Sequence, residues 1–188
     1  MLRSSLVILA LALSASASAE GFDYSYFSLG YGKTDFDTVG DGDGFTLNGS
    51  LAFTDKIHGF ISYEGAELES IVDVTRWNAG VGYNTAMSDK LDLYARLSYE
   101  YVEIDVPILG SIDDNGLGFG VGLRFAASEQ LELVAGVNYV DFGDGGDDTS
   151  LEVGGLYSFT ETFALGLAAE TSDDITSYSI SGRFYFGK

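Results

Sequence analysis

Leu117-Gly118-Phe119-Gly120-Val121-Gly122-Leu123-Arg124-Phe125 alternates large apolar residues with glycines and one arginine. Successive side chains point to opposite faces of a strand, so this stretch is a β-strand with one bulky apolar face and one face of glycines and a single charge. A sheet over a soluble core turns its apolar face inward and covers the other with polar side chains. Three glycines and an arginine make a poor solvent-covered exterior. The strand therefore decides the fold through one question, namely which face meets water.

The same pattern recurs along the chain. Four similar segments, Thr54-Asp55-Lys56-Ile57, Ser88-Asp89-Lys90-Leu91, Ser128-Glu129-Gln130-Leu131 and Thr160-Glu161-Thr162-Phe163, follow one another at spacings of 34, 40 and 32 residues. Each places a Ser/Thr-acid pair just before an apolar residue that starts an alternating run, which predicts tight turns joining antiparallel strands. Alternation predicts strands near residues 25–32, 45–54, 57–64, 76–84, 91–100, 117–125, 131–140, 151–159, 163–170 and 177–186. On every one of them the apolar phase carries no charge. The opposite phase carries Glu64, Arg76, Asp92, Arg96, Glu100, Arg124, Glu132, Glu152, Glu170 and Arg183, together with His58.

An uncharged apolar face on every strand leaves too little polar partner surface for a soluble sandwich. With lipid as the solvent it becomes sensible, because lipid demands apolar residues outward and every backbone group paired, which a sheet achieves only by closing. The expected fold is all-β: a closed antiparallel transmembrane β-barrel of ten strands in an up-and-down meander, with eight strands as the alternative if the weakest runs, the first and ninth, drop out. Aromatics sort accordingly. Tyr31, Phe45, Tyr63, Tyr99, Tyr139 and Tyr178 fall toward one end of the outward phase, and Phe53, Tyr83, Phe125, Phe159, Phe163 and Phe184 toward the tight turns. Two girdles at the headgroup zones are expected.

The N-terminus agrees with export. Arg3, the apolar run Leu6 to Leu13 and Ala17-Ser18-Ala19 before Glu20 have the form of a signal peptide over residues 1–19, with the barrel domain at 20–188. Eight apolar residues are too few to span ~30 Å of hydrocarbon as a helix. Removing the leader leaves eight Lys and Arg against 29 Asp and Glu, a formal charge of −21, which excludes a basic nucleic-acid footprint. The chain has no cysteine, so neither disulfides nor thiolate metal sites hold it. Twenty-five glycines and a single proline suit short turns between strands.

Signal peptide, alternating strands, short turns and longer loops together resemble the small bacterial outer-membrane β-barrel proteins of the OmpA/OmpX and porin-like type, over the whole chain after the leader. The ending Tyr178-Ser179-Ile180-Ser181-Gly182-Arg183-Phe184-Tyr185-Phe186 is similar to that family's C-terminal assembly signal, with Gly187 and Lys188 following its aromatic residue. The resemblance implies a bacterial outer-membrane location, contact with membrane lipids and lipopolysaccharide, and recognition of Phe184 and Phe186 by the barrel-assembly machinery.

Function then rests on the lumen and the loops. All four arginines after the leader fall in the inward phase with six acids, so ion pairs across the lumen are expected, either as structural filling or as a charged constriction that tunes passage. Counting across the tight turn sets Arg124 opposite Glu132 near the periplasmic mouth, and Glu152 opposite Glu170 near the loop rim. Ten strands lie near the size that side chains fill, so a water-containing but constricted lumen is expected. Loops of about 5 to 13 residues hold Asp35, Asp37, Asp41, Asp43, Glu67, Glu69, Asp73, Glu103, Asp105, Asp113, Asp114, Asp141, Asp144, Asp147, Asp148, Asp173 and Asp174, with no Lys or Arg among them, and are expected outside the cell.

No catalytic, cofactor-binding or metal residue is assigned, although the acidic loops could associate weakly with Ca²⁺ or Mg²⁺. The single histidine, His58, lies near the tight-turn end with Asn84 or Asp92 as neighbours, far from any acid of the outer rim, which argues against hydrolytic chemistry. The expectation is a non-enzymatic monomer acting as a narrow porin-like channel or structural envelope protein. Surface interaction, or cation-bridged binding of lipopolysaccharide, is the alternative.

Overall fold

The computed structural model describes residues 22–36, 40–68, 72–107, 110–173 and 175–186. The expected leader, together with Asp37, Glu69, Asp174, Gly187 and Lys188, lies outside the described residues. Ten strands follow in order: β1 Tyr26–Phe36, β2 Gly40–Ala52, β3 Ile57–Leu68, β4 Val72–Ser88, β5 Leu91–Val106, β6 Gly110–Ala126, β7 Leu131–Asp141, β8 Asp147–Ser158, β9 Phe163–Ser172 and β10 Ile175–Tyr185. Each pairs antiparallel with its neighbours in sequence, and β1 pairs with β10 from Tyr26 opposite Tyr185 to Phe36 opposite Ile175, which closes the barrel. Closure settles the choice between ten strands and eight. No helix among the described residues is long and apolar enough to cross a membrane.

The turn motifs work through their hydroxyls. The amides of Lys56 and Ile57 donate to Thr54 Oγ1, those of Gln130 and Leu131 to Ser128 Oγ, and those of Thr162 and Phe163 to Thr160 Oγ1. A Ser or Thr two or three residues before the next strand thus satisfies amides that the ladder leaves unpaired. At the second turn Lys90 N donates to Ser88 Oγ beside a β-bulge between Ala86 and Ser88.

Two expectations are corrected. Arg124 is opposite Val134, and Glu132 is opposite Ala126, because the four residues 127–130 close the hairpin and shift β7 by two positions. Secondly, the segments at the other end are short. Pairing runs on to Phe36 and Gly40, Leu68 and Val72, and Val106 and Gly110, leaving only 37–39, 69–71 and 107–109 between strands. The acids expected in loops therefore lie mostly on strand ends. Glycines at 40, 42, 44 and 110 impose no side-chain clash there, and a paired backbone leaves fewer amides to solvate than an open loop does.

The outward phase matches expectation. Phe27, Leu29, Phe53, Ile61, Val81, Leu97, Phe119, Leu133, Leu151, Leu167 and Ile180 are exposed, while most inward polar residues are buried and Glu64 and Asn138 are half-buried. Phe45 of β2 and Phe53, the residue just past its end, one in each expected girdle, are eight positions apart. At ~3.3 Å per residue and a tilt of ~40°, that is about 20 Å along the barrel axis, close to the ~25 Å apolar band of outer-membrane barrels.

Candidate functional site

The candidate site is the lumen, which has three levels. At the turn end Arg124 makes two bonds to Glu132, Nε to Oε1 at 2.6 Å and Nη2 to Oε2 at 3.0 Å, with both side chains buried. The two are diagonal neighbours across β6 and β7, within reach of long side chains. Arg183 lies 3.9 Å above the Tyr26 ring. Tyr26, Tyr94, Val134, Leu156, Ala164, Ala168 and Tyr185 form an apolar cluster around these charges. These buried side chains occupy this half of the lumen.

The glycines of the opening strand find their reason here. A Cβ on Gly122 would collide with the Tyr94 hydroxyl, and one on Gly118 with the Glu100 carboxylate. Their absent side chains make room for long ones from β5, so the volume they free is filled.

At mid-height Arg96 is held between Phe60 and Tyr94, its guanidinium carbon 5.1 and 4.8 Å from the two ring centres. Ser98 Oγ donates to Glu100 Oε1 at 2.5 Å, and Asn78 lies directly across β4–β5 from Glu100. Between Arg96, Glu100, Asn78, Asn138 and Ser150 lies a cavity of about 30 Å³, room for a water molecule that could reach several of these polar groups. Arg76 approaches Glu64 at 3.6 Å. Glu152 and Glu170 are directly opposite each other on β8 and β9, as their spacing predicts, and both are buried. Besides each other, Glu152 feels the charges of Arg96 and Arg183, and Glu170 those of Glu64 and Arg76. Asp92 is the remaining member of the charged set. Opposite Arg124, it belongs to the turn end, as does His58, whose Nδ1 lies 3.3 Å from Asn84 Oδ1.

At the loop end the phases exchange character. Along β4 and β5 the inward positions change from Arg76 and Glu100 to Val74, Val72, Val102 and Ile104, while the outward ones change from Trp77 and Tyr99 to Asp73, Glu103 and Asp105. Leu68, Val74 and Val102 are buried together, and Phe142, from the segment joining β7 and β8, packs against them. Apolar-in and acid-out is the pattern of a hairpin standing in water, so the membrane edge lies where the exchange occurs. Tyrosines mark it: Tyr31 donates to Asp43 at 2.7 Å and Tyr101 to Glu103 at 3.0 Å. The apolar cap over the lumen was written in the sequence as this swap of phase, which a search for uniform alternation passes over.

Phe184 and Phe186 of the expected assembly signal both face outward and are exposed, with Phe184 against Phe163, ring centres 4.9 Å apart.

The Outer membrane protein beta-barrel domain family matches residues 5–159. Among solved structures the fold is similar to the NanC porin, with 11% identity over 85% of this chain and 100% of that one and a TM-score of 0.58. It is also similar to the KdgM porin, with 12% identity over 85% and 99% of the two chains and a TM-score of 0.50. No curated protein matches the sequence. With a closed ten-stranded barrel whose outer wall is apolar, and with the family match covering most of its length, the chain belongs to the β-barrel outer-membrane proteins and resides in the bacterial outer membrane.

Proposed function

We propose that the protein is a non-enzymatic, narrow, porin-like channel that favours cations. The observation that carries this reading is the inward charge set above the Arg124–Glu132 pair, in which Glu64, Glu100, Glu152 and Glu170 outnumber Arg76, Arg96 and Arg183, with Glu152 and Glu170 set face to face. A ring with excess negative charge in a confined, poorly screened space lowers the barrier for cations and raises it for anions. Acids at the loop end would add a negative potential at the outer mouth, with the short turns facing the periplasm as in related barrels. The apolar cap and the packed turn end limit passage to small ions. Likeness in fold to barrels described as porins supports the class, while the narrow lumen of this chain supports low conductance.

Planar-bilayer recording tests the proposal. Small, cation-selective currents are expected, with a reversal potential in a KCl gradient that moves toward zero in Glu152→Gln/Glu170→Gln. Conductance in the range of general porins, or no current from a barrel of verified fold, would overturn it; the latter would leave a structural envelope role.

A second reading is supported by the outer wall. Asp43, Glu67, Asp73 and Asp105 stand in one cross-strand row over β2, β3, β4 and β5, just beyond the aromatic girdle. Divalent cations could bridge such a row to lipopolysaccharide phosphates. On this reading extraction with EDTA releases lipopolysaccharide from the purified barrel, and retention of lipopolysaccharide through EDTA treatment excludes it.

A further inference from the structure

We infer that residues Phe22, Asp23, Tyr24 and Ser25 form a latch that closes the turn-end mouth of the lumen and opens without unpairing any strand. The inference rests on the channel reading only in giving the opening a role in passage. A chain running backward out of β1 at Tyr26 would leave the barrel directly into water. Instead it turns across the mouth, with the Ser25 amide donating to Asp23 Oδ1 at 2.7 Å. Tyr24 is buried and stacks on His58, with ring centres 4.5 Å apart and planes 23° from parallel. Its hydroxyl donates to Asp92 Oδ2 at 3.3 Å, and its carbonyl accepts from Ser50 Oγ at 2.7 Å. The Arg124 guanidinium lies between the rings of Phe22 and Tyr24, 4.7 and 4.4 Å from their centres, and its Nη1 reaches the Asp23 carbonyl at 3.4 Å.

The bed beneath the latch stands without it. Arg124 is fixed by Glu132, His58 by Asn84, and Asn84 in turn donates to the Asp55 carbonyl at 3.0 Å. The latch itself belongs to no strand. Backbone-to-backbone pairing reaches only Ser25, whose carbonyl accepts from Phe186 N and whose hydroxyl accepts from Ala52 N, while the Tyr24 and Asp23 carbonyls are held by side chains alone, so Ser25 is the hinge and Phe22 to Tyr24 the moving part. Segments held by side-chain contacts over a preformed bed open at lower cost than ladder-bonded strands. Opening uncovers Asp92, Arg124 and His58 at the mouth and leaves the barrel wall intact.

The single histidine of the sequence lies under the Tyr24 ring, which supplies the test. Untagged barrel in detergent is treated with diethyl pyrocarbonate, which acylates neutral imidazole, and modification of His58 is followed by peptide mass spectrometry. Opening equilibria set such protection, so Tyr24→Ala is expected to speed modification by about tenfold or more. Tyr24→Phe, which keeps the stacked ring, stays near the parent rate. Heat-modifiable gel mobility confirms that each barrel is closed. Equal rates in the parent and in Tyr24→Ala, with both barrels folded, overturn the latch. Because this readout needs no current through the barrel, protection of His58 together with absent conductance would remove the channel reading and leave the latch as a closure of the mouth.

Discussion

Arg124 and Glu132 meet through two hydrogen bonds, at 2.6 and 3.0 Å, although neither is the cross-strand partner of the other. Both are buried, so each is the other's main compensation for lost hydration. Removing one partner of such a pair leaves an uncompensated charge. Glu132→Ala is expected to cost about 3–5 kcal/mol of unfolding free energy, and a double Arg124→Leu/Glu132→Leu variant much less. Urea titrations of barrels folded into lipid vesicles check this, and additive losses in the two single variants would contradict it.

Glu152 and Glu170 form the opposite case, two acids facing each other in the same ladder. Like charges directly opposite destabilise a sheet, an effect that Arg76, Arg96 and Arg183 oppose. Glu170→Gln is expected to raise the thermal midpoint at neutral pH while reducing cation preference. A lowered midpoint would show that Glu170 is needed as a negative partner for Arg76.

Val121 lies halfway along the opening strand, opposite Ala95 and Val137, and faces outward. Arginine placed there would sit near the bilayer midplane. Val121→Arg is expected to lose about 2–4 kcal/mol in vesicle unfolding experiments, whereas the same change at outward Ser111, beyond the membrane edge, is nearly neutral. Equal effects at both positions would argue against the placement of the bilayer.

The acids outside the girdle face one another repeatedly: Asp35 and Asp41, Glu67 and Asp73, Glu103 and Asp113, Asp141 and Asp147. Salt screens exposed repulsion of this kind. Thermal midpoints are expected to rise from EDTA-containing, low-salt buffer to millimolar Ca²⁺, and Asp73→Asn, in the middle of the longest row, should flatten the response. Identical melts in both buffers would dispose of the effect.

Trp77 is the single tryptophan and packs on Tyr99 and Tyr101, with ring centres 5.5 and 5.6 Å away. Its place in the girdle predicts stronger quenching by lipids labelled near the headgroup than by lipids labelled at the chain end. The reverse order would shift the membrane boundary toward the loop end.

The sequence by itself determined the barrel. Period-two alternation without a charge on one phase, carried through Phe27 to Phe186, leaves a closed sheet in lipid as the only arrangement that pairs every backbone group. It also determined which phase each of the ten charged residues occupies, because facing is a property of odd and even positions. Even the opposition of Glu152 and Glu170 was legible, since Thr160 caps a turn centred between them. What only the tertiary structure decided is who meets whom across the lumen. The β6–β7 turn holds two residues more than its motif implied, and Arg124 reaches Glu132 diagonally. The glycines of the opening strand became space for Tyr94 and Glu100, and the phase swap at Val74 and Val102 became a cap with Phe142. The segment before β1 turned back over Arg124. Some of these contacts, such as Phe142 on Val74 and Val102 or Tyr24 on Arg124, join residues far apart in the chain, and others, such as Arg124 with Glu132, depend on the register of adjacent strands. Strand periodicity reports the face a side chain takes, while closure fixes the distance across which it finds a partner.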